Sequence, residues 1–183
     1  MMSTCTDLIR ASRSGVPLFQ AGPIDQYLLS YDGSGYEPSS DVSVIKAFQR
    51  LAISQKWSPK KREEEKKKFH AAVDAEFADR VGTGNTLFEW QRLAKLIGIN
   101  PIPSSITQCK KAIGKENINI FHILHAYRRA TEINDLALIK PSSEITRFPS
   151  VGKLRAYTHK HKMFYSKEKA KGTVLKGLLK KLR

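Results

Sequence analysis

A cysteine and two histidines are the first residues in this chain whose types and spacing suggest chemistry. His122 and His125 stand three apart in a segment with helical periodicity, so they project from neighbouring positions. With Cys109 they offer three side chains of the kind zinc takes, and Cys109 beside either imidazole is the start of a thiol nucleophile. Both sets are incomplete. Tetrahedral zinc takes four converging ligands, and no CxxC accompanies Cys109; a thiol nucleophile needs a base, an orienting group and an oxyanion pocket. The expectation is that Cys109 is a small apolar residue on a short helix and that the histidines are surface or half-buried. No Walker A motif, GxGxxG, HExxH, EF-hand loop or GxSxG is present. The sequence therefore reads as non-enzymatic, with no cofactor and no metal.

Charge is the stronger signal. The 183 residues carry 32 Lys+Arg against 17 Asp+Glu, a net +15. Residues 1–45 sum to −3, residues 46–139 to +7 and residues 140–183 to +11. A fold does not require such asymmetry, so it speaks of polyanionic partners: nucleic acid, an anionic membrane surface or an acidic protein segment. In the C-terminal block Lys153, Arg155, Lys160, Lys162, Lys167, Lys169 and Lys171 interleave with Tyr157, His159, His161, Phe164 and Tyr165. Cations neutralise phosphates, and aromatics stack on unpaired bases or pack into a core. Tyr157 and Phe164, seven apart, read as core; His159, Lys160 and Tyr165 read as facing a ligand. Lys110 and Lys111 add two cations on a short helix with no acidic residue before Gly114. That helix sits between two longer ones, as in a helix-turn-helix, although the eight-residue linker 98–105 is long for one. Lys60-Lys61-Arg62 is a weaker basic run, blunted by Glu63, Glu64 and Glu65. Gly82-Thr83-Gly84 before a helix is an anion-binding candidate that reads more simply as a turn.

These residues need helices to position them. Hydrophobic residues make up 40% of the chain and aromatics 9%, enough for a packed core. No apolar stretch is long enough to span a bilayer, and residues 1–20 lack a continuous apolar signal-peptide core. Two cysteines make no disulfide scaffold and suit a reducing compartment. Residues 1–40, punctuated by Gly, Pro and Ser, read as a flexible arm, with Tyr27, Leu28, Leu29 and Tyr31 able to dock; a chain starting near Ser40 is expected to lose little of the core. Helices are expected over 42–56 behind Asp41, over 59–81 behind Ser58-Pro59, and over 87–97 behind the capping box Thr86/Glu89 with Gly98 as the stop. Further helices are expected over 106–113 behind Ser105/Gln108, from a cap at Asn117 or Asn119 through about Thr131, from Ser150 to about Phe164, and beyond Ser166. The first half of the 59–81 helix is charged all round, and Phe69, Val73 and Phe77 mark its buried half. Leu136, Leu138 and Ile139 read as one short extended segment, and 143–148 as a helical turn. The last segment carries the stripe Val174, Leu175, Leu178, Leu179 and Leu182. The fold class is all-α: a compact bundle of five to seven helices over 41–183 behind the arm.

Leu87-x-x-Trp90-Gln91-x-Leu93, Gly98-Ile99, Pro103-Ser104-Ser105-Ile106-Thr107-Gln108-Cys109-Lys110-Lys111-Ala112-Ile113 and Asn119-Ile120-Phe121 form a recognisable series. Phe148-x-Ser150, Leu154-Arg155-x-Tyr157-Thr158 and Ala170-Lys171 continue it. Over roughly residues 45–183 the chain resembles a group of small uncharacterised helical proteins of ascomycete fungi. The resemblance implies an intracellular helical fungal protein and carries no activity to transfer. The residues themselves point to a nuclear or cytoplasmic nucleic-acid-binding protein with weakly specific phosphate contacts to DNA or RNA. The alternative is an interaction module that docks an acidic or amphipathic protein partner, its terminal leucine stripe filling a groove. A membrane partner is the least favoured, since no lipidation motif stands in the sequence.

Overall fold

The computed structural model describes residues 21–38, 43–82, 84–130 and 135–165. Over these the protein is all-α, with seven helices: α1 (Pro23–Leu29), α2 (Val44–Ser54), α3 (Pro59–Val81), α4 (Leu87–Ile97), α5 (Ile106–Ile113), α6 (Ile120–Arg129) and α7 (Val151–His161). The one β feature among the described residues is an isolated antiparallel bridge between Ile118 and Arg147. No helix among them is long and apolar enough to cross a membrane.

Local signals place the helix ends. Ser58 Oγ accepts from the Lys61 N–H, Ser105 Oγ from Gln108, Asn119 Oδ1 from Phe121 and Ser150 Oγ from Lys153. Thr86 and Glu89 close a reciprocal capping box, and Gly98 ends α4 in the left-handed region at φ 83°. The Ser105/Gln108 pair is only half a box: the Gln108 side chain accepts from the Ser104 N–H. Ser43, whose hydroxyl makes no capping bond, stands at the start of α2; Asp41 lies outside the described residues.

Helix α6 carries the centre of the core. Ile120, Phe121, Ile123, Leu124 and Tyr127 are buried on it, and α3 lays Phe69, Val73, Phe77 and Val81 alongside. An aromatic cluster extends this core: Phe48 stacks on Phe69 with centroids 4.6 Å apart, and Tyr27, Tyr31 and Trp57 surround the pair.

The structure corrects the expected domain boundary. Residues 21–38 are not arm: α1 packs against α2 and α3, with Ile24 and Leu28 fully buried and Tyr36 nearly so. Starting the chain near Ser40 would remove these side chains from the core. Residues 1–20 lie outside the described residues. What holds the segment is a buried ionic knot. Arg128 Nη2 donates to Asp25 Oδ1 and Arg128 Nη1 to Glu76 Oε1, each at 2.5 Å. The Tyr36 hydroxyl also donates to Asp25 at 2.5 Å, Arg80 Nε donates to Glu76 at 2.9 Å, and the Ile24 N–H donates to Glu76 Oε2 at 3.0 Å. Two carboxylates thus meet two guanidinium groups, and the remaining lone pairs are spent on backbone and phenol donors, as buried charges require.

A second buried carboxylate lies in the half of α3 that reads as charged all round. Glu65 is 1% exposed and accepts from Tyr31, from Tyr27 at 3.2 Å, and from Lys61 and Lys68 at 2.9 Å each. Three other expectations shift by a few residues. Helix α2 ends at Ser54, and α6 ends at Arg129. Residues 136–138 form a turn, with Leu138 exposed and Ile139 buried.

Candidate nucleic-acid interface

The anchored side of α7 explains which of its residues meet solvent. Leu154 and Thr158, four apart on one face, are buried. Thr158 Oγ1 accepts from Asn119 Nδ2 at 3.0 Å, and the same amide reaches the Met163 carbonyl at 3.3 Å, which fastens the end of α7 to the start of α6. One turn along α6, His122 Nδ1 accepts from the Thr146 N–H, so its proton sits on Nε2 and points to the Tyr157 hydroxyl at 3.0 Å. Burial pushes the His122 pKa below its usual range, which keeps the ring neutral.

With that face fixed, Lys153, Arg155, His159 and Lys160 lie exposed on the rest of the helix, and Lys162 is exposed at its cap. By helical phase Arg155 and His159 fall on one flank, and Lys153 and Lys160 on the other. No acidic residue occurs in the sequence between Glu144 and Glu168.

The two aromatics at the end of the stretch exchange the roles expected of them. The helix ends at His161 because Lys162 turns the backbone into the left-handed region at φ 54°. Phe164 then stands 47% exposed, edge-on to His159 with centroids 4.8 Å apart. Tyr165 turns inward: its hydroxyl donates to Asp74 at 2.5 Å and its ring packs edge-on to Phe77 and Phe121. Tyr165 is therefore a core contact, and Phe164 is the aromatic presented beside the cations. Lys167, Lys169 and Lys171 lie outside the described residues, as does the terminal leucine stripe.

Lys110 and Lys111 are exposed on α5, which packs chiefly against α4. The Lys110 ammonium lies 5.2 Å from the Trp90 ring centroid, a cation–π contact. These two lysines belong to the α4–α5 surface and not to the α7 face. The glycine turn before α4 is already occupied by the chain itself: one Glu89 carboxylate oxygen accepts from the N–H groups of Gly84, Asn85 and Thr86 at 2.9, 3.0 and 3.3 Å. These three N–H groups are therefore not open to an external anion; Thr83 lies outside the described residues.

Cys109 is fully buried, and burial raises its thiol pKa, away from thiolate chemistry. Its sulfur faces the Pro103 carbonyl at 3.7 Å. Among the described residues no group of three His, Cys, Asp or Glu side chains gathers to hold a metal ion. No family model matches the chain, no curated protein matches it, and no solved structure matches it.

Proposed function

We propose that the protein is a non-enzymatic nucleic-acid-binding protein that works in the nucleus or cytoplasm through phosphate contacts from α7 and the basic residues after it. The observation that carries this reading is the run of exposed cations at 153, 155, 160 and 162 on a helix whose opposite face is anchored to α6, with exposed Phe164 alongside. Cations on a rigid element neutralise phosphates without base readout, and an exposed aromatic ring offers a stacking platform for unpaired bases. Three such contacts, from Lys153, Lys160 and Lys162, correspond to a log–log salt slope of about −3 on duplex DNA.

Fluorescence anisotropy of labelled duplex DNA, single-stranded DNA and RNA, titrated with the full chain across a salt series, tests this. Micromolar binding with that slope supports it. The slope should fall by about three in a Lys153→Glu, Lys160→Glu, Lys162→Glu variant. No binding at low salt sinks it.

A second reading has one observation in its favour. Phe48, Trp57, Phe69 and Phe164 line a groove of about 550 Å³ whose lining also includes three cations, Arg62, Lys66 and Lys162, against one carboxylate, Glu63. An amphipathic acidic helix matches that combination. Binding of such a peptide, abolished by Phe164→Asp and only weakly salt-dependent, would favour it over strand binding.

A further inference from the structure

On the α6 flank of α7 a cleft of about 400 Å³ opens between the first turn of α2, the middle of α6 and the end of α7. Its walls hold an unusual set of groups. Lys46 on α2, Lys160 on α7 and Lys162 at the α7 cap are three lysines among the residues that line it. The carboxylate in its lining, Glu144, is taken by Arg129 at 2.6 Å. The rings of Tyr157 and His161, with centroids 4.3 Å apart, make an aromatic wall, and Ile45 and Met163 supply apolar surface.

Two of the lining residues, Ser43 and His125, each carry a buried polar atom with no hydrogen-bond partner among the described residues: Ser43 Oγ and His125 Nε2. Ser43 stands where a helix-capping hydroxyl normally bonds its own helix, yet its side chain makes no such bond. An unsatisfied buried polar atom costs free energy, and two at one cleft mark the place where a ligand would supply partners. His122 is not a third, because both its ring nitrogens are engaged.

The chemistry of the set selects the ligand. Three lysines repel a metal ion, and no metal-binding group of side chains stands among the described residues. An oxyanion with several acceptor oxygens satisfies the lysines, the serine hydroxyl and the imidazole N–H together. A volume of this size exceeds a bare phosphate ion and falls in the range of small-molecule sites, and the aromatic wall suits a flat ring or a sugar.

We propose that this cleft binds a phosphomonoester of about mononucleotide size, its phosphate held by Lys46, Lys160, Lys162, Ser43 and His125. The inference does not rest on strand binding by α7, since Lys46, Ser43 and His125 lie on other helices. The phosphomonoester has two sources, a free mononucleotide or the 5′-phosphorylated end of a strand.

Isothermal titration of the full chain at low salt with inorganic phosphate and with AMP reads the affinity, and ¹⁵N imidazole resonances of His125 read the place. Both probes should bind, AMP more tightly, and the His125 resonances should move. Lys46→Glu and Ser43→Ala should each weaken AMP by about tenfold or more, as for the loss of one charge-assisted contact. Ser43→Ala removes a hydroxyl that has no partner, so its thermal midpoint should match the parent. Lys67→Glu, at an exposed position of α3 outside the cleft, should leave AMP affinity unchanged. A preference for a 5′-phosphorylated over a 5′-hydroxyl oligonucleotide assigns the strand end, and AMP binding without that preference assigns the free mononucleotide. Absence of phosphate and AMP binding at millimolar concentration overturns the proposal, and so does binding that Lys46→Glu leaves intact. AMP binding with no oligonucleotide binding at any salt would overturn the strand reading and leave the cleft standing.

Discussion

Replacing Glu65 with glutamine changes one atom of a side chain that the sequence hides in a run of exposed charge. The carboxylate is 1% exposed and accepts from two phenols and two ammonium groups. Burial alone would raise its pKa. Hydrogen bonds from Tyr31, Lys61 and Lys68 outweigh that burial and hold it at about 2, against an ordinary 4.5. Through linkage, a displacement of that size is worth about 3 kcal/mol of stability at neutral pH. The sign follows from proton affinity: the folded carboxylate binds a proton less readily than the unfolded one. The stabilisation is therefore complete above about pH 4.5 and drains away as the pH falls toward 2. Glutamine keeps the shape and one acceptor but puts an NH2 group against donors. Urea unfolding followed by tryptophan fluorescence at pH 7, 5, 3 and 2 reads the effect. With slopes of about 1–3 kcal/mol per molar, Glu65→Gln should lower the pH 7 midpoint by about 1–3 M. The gap should narrow below pH 4.5 and close near pH 2. Glu64→Gln, at an exposed neighbour, is the control and should shift nothing. Equal midpoints at pH 7, or a deficit undiminished at pH 2, would refute the reasoning.

Arg128→Met leaves Asp25 and Glu76 buried with their shared cation gone, and should cost about 3–5 kcal/mol in the same unfolding assay, nearer the lower figure because Arg80 still serves Glu76. Gly82→Ala places a methyl 2.3 Å from Glu89 Oε1 at a φ of +93°, so it should destabilise by about 1–3 kcal/mol and lower the thermal midpoint. Tyr165→Phe should cost about 1 kcal/mol through loss of the Asp74 contact and leave strand affinity unchanged, whereas Phe164→Ala should spare stability and weaken single-stranded DNA in the anisotropy assay. The reverse pattern would return the ligand-facing role to Tyr165.

Helices α3, α4 and α5 begin and end where the sequence places them, because each boundary is set by groups within a few residues: Ser58 with Pro59, Thr86 with Glu89, Ser105 before Ile106, and Gly98 in the left-handed region. Helix α1 is not legible in this way. Gly22-Pro23 reads as punctuation, the helix is only seven residues long, and what holds it is Arg128, 103 residues from Asp25. Glu65 is invisible for the same reason, since only Tyr27 and Tyr31 on a distant segment distinguish it from Glu63 and Glu64. The exposed cations of α7 were readable from charge, but the burial of Thr158 beside Leu154 was not, since a threonine in this pattern gives no sign of it. The exchange of Phe164 and Tyr165 was not, because it follows from a positive φ at Lys162, a residue type that gives no sign of one. The cleft was equally hidden: Lys46 and Ser43 join α7 only through tertiary packing.

The ionic knot joining Asp25 to Arg128 also sets an order for biosynthesis. A ribosome adds about 5–20 residues per second, so Arg128 follows Asp25 by about 5–20 seconds. Throughout that interval Ile24, Leu28 and Tyr36 have no finished core to enter, and Glu76 has Arg80 alone as its cation. Helices α3, α4 and α5 can form meanwhile on their own caps, but α1 settles only after α6. The α1 segment thus closes later than helices that follow it in the chain, and a nascent chain stalled before Arg128 would leave its apolar and acidic side chains open to chaperones and proteases.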